Sequence, residues 1–482
     1  MDIQKTLSSI LLDGGAGYNI YTTEINYPVD SFEALSSSAK VLVRLGMLDL
    51  AASGYINPIE LVPDEWNEFH RELFHRMSDE EKIDVCAFVT AIIHEFLHHM
   101  DLLRTPFGAS LHEKLCREFV NFERHAPTLL EEPISFFNQP FADWCQSALT
   151  GPDEAMRLQE GSALDQALVS LRGTVAFDEF RRGTMPRHVE EGWNGNTKPL
   201  KLAGGRQYEK VTINQVWVSI RIKDGSYYLS PNEIIEGRTL ATCLLYLLHL
   251  IGEDSAAINV IKKYIDRFNR GLAKNLSLLE ILAGQDVATL LKEDISTIKK
   301  RLWETVINGW YSLHAPVSAE KSDILQSMTA RCTQMARVMR DTDIRSFSTI
   351  NKFLSTVEDY YASQLNARPI ADSLSLSADR LGQTISACQS CKDAELRSWY
   401  SKILKVIQND LIERVADGYE LGTGLPPDGN PVRWSDDGAI RCVELPAASE
   451  RVHEWYALRQ LLITKRGRAD EKIARLRGFF EI

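Results

Sequence analysis

The residues best placed for chemistry lie in one apolar stretch, VTAIIHEFLHHMDLL, which runs from Val89 to Leu103. Within it, His94, Glu95 and His98 form the pattern H-E-x-x-H. Residues four apart lie on the same face of an α-helix, with their Cβ atoms about 5–6 Å apart. Two imidazoles at that spacing can bind one metal ion, and Zn²⁺ takes nitrogen ligands at about 2.0–2.1 Å. The spacing therefore predicts His94 and His98 as metal ligands.

Glu95 follows the first histidine and would lie about 100° further round the helix. Its carboxylate would then lie beside the ion, within reach of a water bound there. A metal ion lowers the pKa of its bound water, and a neighbouring carboxylate can accept the proton as that water attacks a polarised carbonyl carbon. Glu95 is therefore the predicted catalytic base.

This motif resembles that of the zincin metallopeptidases, and the resemblance directly covers one helix. The metzincin branch extends the motif to H-E-x-x-H-x-x-G-x-x-H, but here those two places hold Asp101 and Arg104. The gluzincin branch fits better. Resemblance to it implies a zinc-dependent peptidase that takes its third ligand from a glutamate on a later helix.

Three glutamates compete for the place of third ligand, and each lies on the apolar side of its predicted helix. Glu236 ranks first because its helix has the best N-terminal capping signals. Glu160 ranks second, in an E-x-x-A pattern, and Glu118, 20 residues after His98, ranks third. A glutamate is rarely buried without a partner. We therefore expect at least one of them to bind the ion, and the others to pair with an arginine or reach solvent.

Asp101 lies on the same helix face as the two histidines, three residues after His98. A carboxylate there could accept a hydrogen bond from a ligand imidazole and orient the ring. It could equally be the last exposed acid of the helix, and the sequence leaves both interpretations open.

Two helices must position these residues. The helix that carries the motif should begin after Ser78, which forms a capping box with Glu81. It should end near Arg104, because Pro106 disfavours helical geometry in the residue before it. A second, strongly apolar helix should begin at Pro231, since proline is favoured at the first helical position.

The expected fold class is α+β and predominantly α-helical. A zincin-like metallopeptidase domain at 1–252 would contain a small β-sheet and a loop insertion near 185–210. The clearest strand signal is KVTINQVWVSIRI, which would turn at Asp224-Gly225 and return as SYYLS. A helical domain at 253–418 would follow, and then a Gly/Pro-rich linker with a charged C-terminal helix at 419–482.

The composition narrows the classes of function. A net charge of −12 over 482 residues argues against a nucleic-acid partner. The 8 cysteines are too scattered for a disulfide framework, which favours a reducing compartment. The first residues lack the pattern of a secretory signal, and the longest apolar run, LATCLLYLLHLIG, is too short to span a membrane. We therefore expect a cytoplasmic protein without a membrane partner.

These expectations combine into one functional hypothesis: a zinc-dependent endopeptidase that cleaves a specific intracellular protein or peptide. Its C-terminal helical region would bind a regulatory protein partner. The alternative is a non-catalytic helical scaffold or sensor with a structural metal site.

Overall fold

The computed structural model describes most of the helical part of the chain. The described residues are 17–26, 34–43, 68–138, 162–172, 196–201, 207–213, 216–222, 225–227, 231–252, 254–272, 275–283, 285–314, 370–416, 432–434, 439–442, 448–463 and 467–481. Every structural statement below concerns these residues.

The labelled helices are α1 (Glu68–Arg76), α2 (Asp79–Arg104), α3 (Pro106–Leu130), α4 (Ala163–Arg172), α5 (Pro231–Ile251), α6 (Ser255–Leu272), α7 (Ser277–Ala283), α8 (Val287–Leu290), α9 (Ile295–His314), α10 (Ile370–Cys388), α11 (Ala394–Ala416), α12 (Glu450–Ile463) and α13 (Ala469–Phe480). A short 3-10 helix spans Ile134–Asn138. The strands are β1 (Gly17–Asn19), β2 (Glu24–Asn26), β3 (Asn196–Lys201), β4 (Gln207–Ile213), β5 (Val216–Ile222), β6 (Gly225–Tyr227), β7 (Val432–Trp434) and β8 (Ala439–Cys442).

The chain divides into two compact units, each made of three segments. Unit 1 comprises 1–106, 181–374 and 414–443, and unit 2 comprises 107–180, 375–413 and 444–482. These boundaries differ from the consecutive domains expected at 1–252, 253–418 and 419–482, because each unit is assembled from segments far apart in the sequence.

Unit 1 is built around α5. This helix is apolar on nearly all sides, with buried residues that include Ile235, Leu240, Leu244 and Leu247. A helix that is apolar all round must be covered all round, and α5 contacts α2, α6, α7 and α9. Each fully buried leucine or isoleucine stabilises the fold by roughly 1.5–3 kcal/mol.

Two glycines allow close approach around α5. A Cβ at Gly237 would lie 2.4 Å from the Leu278 Cβ of α7, and a Cβ at Gly309 of α9 would lie 2.5 Å from the Arg238 Cβ. Neither distance is tolerated between real side chains. Both contacts therefore depend on glycine, and they fix α7 and α9 closely against α5.

The predicted boundaries of α2 are confirmed. The Ser78 side chain accepts a hydrogen bond from the Glu81 N–H, and the Glu81 side chain accepts one from the Ser78 N–H, which completes the capping box. The helix ends at Arg104, and Thr105 has an extended backbone before Pro106. The start of α5 at Pro231 is confirmed as well.

By length and composition alone, α2 is the one described helix that could cross a membrane, with a mean hydropathy of 1.2 over its most apolar window. However, 94% of that window is buried inside the structure, and the core helix of a globular domain shows the same feature.

The expected α+β zincin-like domain, with a small sheet as part of its catalytic unit, is wrong. Helices dominate the structure, and the candidate site lies between two of them. The short strands form two antiparallel sheets, in the orders β1-β2-β8-β7 and β3-β4-β5-β6, and supply no residue to the site. The H-E-x-x-H motif specifies the geometry of one helix and does not determine the elements around it, because one site can be built on unrelated folds.

The stretch predicted as one strand is two. Strands β4 and β5 pair with Ile213 opposite Val216, so the chain reverses in the middle of KVTINQVWVSIRI. Strand β5 then pairs with β6, with Ile222 opposite Gly225, which places that second reversal one residue earlier than predicted. The alternating pattern of β-branched residues continues across the first reversal, so the sequence gives no sign of a turn there.

Unit 2 has an aromatic core of its own. Phe119 and Phe122 of α3 contact Trp455 of α12 edge to face, with ring centroids 5.1 and 5.6 Å apart. Phe119 also stacks on Tyr400 of α11, whose hydroxyl accepts a hydrogen bond from the Trp455 ring nitrogen. These rings bury a large apolar area that holds the helices of the unit together.

Candidate metal centre

Three side chains of unit 1 converge on one point. The Nε2 atom of His94 lies 2.7 Å from the Oε2 atom of Glu236 and 3.0 Å from the Nε2 atom of His98. The third edge, from His98 Nε2 to Glu236 Oε2, is 3.4 Å. Among the residues that the structure describes, these three form the group that could hold a metal ion.

Helix geometry explains how the three meet. His94 and His98 lie one turn apart on α2, and their rings meet edge to face with centroids 4.5 Å apart. Glu236 comes from the first turns of α5. Further along α5, the Cys243 thiol donates to the Thr90 carbonyl oxygen at 3.7 Å. Higher numbers on α5 therefore meet lower numbers on α2, and the two helices run in opposite directions.

The donor set suits a zinc-type ion. Two imidazole nitrogens and one carboxylate oxygen form a common set of protein ligands for catalytic zinc. Ligand atoms about 2.0–2.1 Å from a tetrahedral ion lie about 3.3–3.4 Å from one another. The three observed edges are of this size or slightly shorter, so a small expansion of the triangle would admit the ion.

The site is enclosed but not sealed. The side chains of His94 and His98 are 12% and 11% exposed, and that of Glu236 is 21% exposed. Part of the Glu236 side chain is therefore accessible to solvent.

Electrostatics couple the three groups. Burial alone would raise the pKa of Glu236, but His98 and His94 hold the pKa of this carboxyl well below its usual range. Burial would lower the pKa of His94, but the neighbouring Glu236 carboxylate raises it above its usual value. The group therefore favours a positive charge between its members. A proton or a metal ion could supply that charge, and the two would compete.

Glu95 acts electrostatically on this group without being part of it. Its side chain is half-buried, and its charge helps to raise the pKa of His94 and of Cys243. The H-E-x-x-H spacing predicts that the glutamate lies beside the ligand atoms. Its role as a base stays a prediction.

Asp101 is fully buried, so the interpretation as an exposed acid at the end of α2 is wrong. Its carboxylate forms an ion pair with the buried guanidinium of Arg238, on α5. Sequence reasoning missed Arg238. The available signal was an arginine inside a strongly apolar helix, two residues after Glu236, where no exposed face remains for a charge.

The two other candidate ligands do not join the group among the described residues. Glu118 is buried in unit 2, and both of its carboxylate oxygens contact Arg459, at 2.7 and 3.0 Å. It therefore follows the expected alternative of pairing with an arginine. Glu160 lies outside the described residues.

His99, the third histidine of the stretch, has a structural position. It is buried, which lowers its pKa to about 4, and its ring hydrogen-bonds to the backbone of Thr23 between β1 and β2. This contact joins the β1–β2 turn to α2.

Comparison with known proteins gives no match: no family model, no curated protein and no solved structure is significantly similar to this chain. The resemblance to zincins therefore extends no further than the motif and the three converging side chains.

Proposed function

We propose that this protein is a zinc-dependent endopeptidase, with His94, His98 and Glu236 as the zinc ligands and Glu95 as the general base. The observation that carries the proposal is the convergence of two Nε2 atoms and one carboxylate oxygen within 2.7–3.4 Å of one another. The order of these residues on α2 is that of the zincin motif, although the surrounding fold is different.

The chain contributes two functions in this proposal. His94, His98 and Glu236 would hold the ion, and Glu95 would act on a water bound to it. Zinc bound there would lower the pKa of a water molecule and polarise the carbonyl of the scissile peptide bond. Glu95 accepts the proton from that water and returns it to the amine that leaves, a role worth about 10²–10⁴-fold in rate.

The proposed substrate is a specific intracellular protein, and the proposed compartment is the cytoplasm. A partially buried site between helices favours a segment that can enter it over a folded surface. The regulatory partner expected for the C-terminal helical region remains a proposal too.

The first experiment measures zinc in the full-length protein after preparation without chelators. We expect about one zinc per chain in the wild type and in Glu95→Gln, because this substitution leaves all three ligands in place. Wild type should cleave a mixture of quenched fluorogenic peptides of randomised sequence, and Glu95→Gln should lose at least about 100-fold in rate. Glu72→Gln, an exposed helical glutamate, is the matched control and should behave as wild type.

Three outcomes decide the matter. Cleavage that Glu95→Gln abolishes supports the peptidase. Stoichiometric zinc without any cleavage overturns it in favour of a structural metal site, which the low exposure of both histidines would also suit. A protein that neither contains zinc nor binds added zinc overturns both functions.

A further inference from the structure

The ion pair between Asp101 and Arg238 has no part in the proposed chemistry, yet it joins the same two helices as the metal group. Asp101 is three residues after His98 on α2, and Arg238 is two residues after Glu236 on α5. The two side chains are 0% and 2% exposed. Among the described residues, α2 and α5 are thus joined by this ion pair, by the metal group and by the weaker hydrogen bond from the Cys243 thiol to the Thr90 carbonyl oxygen.

Stability alone does not explain a pair of this kind. Removing two charges from water costs several kcal/mol per ion, and the attraction between them roughly offsets that cost. Apolar residues of similar volume are often as good or better. The best-attested use of a buried polar pair is to select one register of two packed elements, because every other register leaves a charge unpaired.

Register matters here because the metal group tolerates little error. One residue along a helix changes the position by about 1.5 Å and the direction by about 100°, whereas metal–ligand distances must be met within about 0.2 Å. Apolar contacts between α2 and α5 would tolerate a small shift of one helix along the other. The carboxylate of Asp101 and the guanidinium of Arg238 would not.

Arg238 is also held by a third helix, α9. Gly309 of α9 packs directly on its Cβ, so the arginine stem has little room to move. On the same helix, His314 is buried, and burial together with Arg414, Arg238 and Arg104 lowers its pKa well below the usual value. The imidazole of His314 is therefore neutral and adds no positive charge near Arg238.

We propose that Asp101 and Arg238 are positioning residues: their buried ion pair sets the register of α5 on α2 and so brings the Glu236 carboxylate onto His94 and His98. This inference rests on the proposed metal site. It assigns to Asp101 an action through Arg238 and Glu236, instead of a hydrogen bond to a ligand imidazole.

The test replaces both members of the pair with apolar residues. In the full-length double variant Asp101→Leu/Arg238→Met, we expect a fold as stable to urea as wild type but an affinity for Zn²⁺ reduced by about 10-fold or more. Affinity is measured by competition with a chromophoric chelator. The visible spectrum of the Co²⁺-loaded protein should change, because the position of the third ligand is altered.

The matched control is Glu118→Leu/Arg459→Met, which replaces the corresponding buried pair of unit 2. It should retain wild-type affinity and a wild-type Co²⁺ spectrum. If the first double variant does not fold, Asp101→Glu decides instead. It keeps both charges and lengthens the acid by one methylene, so it should shift the register and weaken Zn²⁺ binding.

Wild-type affinity and an unchanged Co²⁺ spectrum in the deciding variant would overturn the inference and leave the proposed metal site intact. Failure of the wild-type protein to bind Zn²⁺ would overturn both. The two failures are thus distinguished by the wild-type measurement alone.

Discussion

Two buried glutamates, one in each unit, show the same sequence signal and meet different partners. Glu118 on α3 contacts Arg459 through both carboxylate oxygens. Glu236 on α5 contacts two imidazoles through one oxygen. In the sequence both are acids on the apolar side of a helix.

The difference lies in what balances the charge. A guanidinium is permanently charged and planar, so Glu118 and Arg459 form a complete, neutral pair. Two imidazoles are neutral unless they bind a proton, so Glu236 still requires a cation between the three groups. The first arrangement can serve only the structure, whereas the second is suited to bind an ion.

The largest expected effect comes from breaking the ion pair between Glu118 and Arg459. Arg459→Met leaves the Glu118 carboxylate buried without its cation, and the free energy of unfolding should fall by about 3–5 kcal/mol. Urea denaturation measures this, and the Glu118→Leu/Arg459→Met double variant should recover most of the loss. If Arg459→Met is as stable as wild type, Arg459 does not compensate the charge of the buried Glu118 carboxylate.

The next largest effect is expected on the Zn²⁺ affinity of the group formed by His94, His98 and Glu236. Glu236→Gln removes the only carboxylate of the three ligands, and Zn²⁺ affinity should fall by at least about 100-fold, or ~2.7 kcal/mol. Glu118→Gln is the matched substitution in unit 2 and should leave Zn²⁺ affinity unchanged, although it weakens the fold. Equal Zn²⁺ affinity in the two variants would mean that Glu236 is no more a ligand than Glu118.

A smaller effect tests the packing that supports Arg238. Gly309→Ala places a Cβ about 2.5 Å from the Arg238 Cβ, and the overpacking should cost about 1–3 kcal/mol of stability. Gly478→Ala in α13 is the control, because nothing lies within 4 Å of its Cβ position. That substitution should stabilise the helix by about 0.5–1 kcal/mol. A neutral result at Gly309 would show that α9 can move away from α5.

Local features of the site could be predicted from the sequence. The bounds of α2 depend on Ser78, Glu81 and Pro106, all within a few residues of the helix ends, and local steric rules apply to them directly. That His94 and His98 lie on the same face is likewise a property of one helix. Such features can be predicted without knowing which helices pack against one another.

Long-range features could not be predicted in the same way. His94 and Glu236 are 142 positions apart, and their contact depends on α5 lying against α2 in one register. The sequence offered three glutamates with similar surroundings and no way to identify the neighbouring helix of each. The sheet-containing domain was wrongly inferred because a motif on one helix was extended to the fold around it.

Asp84 on α2 is a third buried acid, and its substitution should have the smallest of the expected effects. Its only ion pair among the described contacts is with Arg267, at 3.8 Å, and burial raises its pKa from 3.8 to about 6. The folded state therefore holds this proton up to about pH 6, whereas the unfolded chain releases it near pH 4. Stability is lost as the pH rises between these values, and the full penalty remains above pH 6.

Asp84→Asn removes that penalty. At pH 7 the free energy of unfolding should rise by about 1 kcal/mol, a figure that allows for solvent screening near the surface. Near pH 4 the gain should vanish, because the wild-type carboxyl is then protonated in the folded state. Urea denaturation at several values between pH 4 and 7.5 measures both limits. No gain at pH 7 would mean that Arg267, even at 3.8 Å, balances Asp84 as Arg459 balances Glu118.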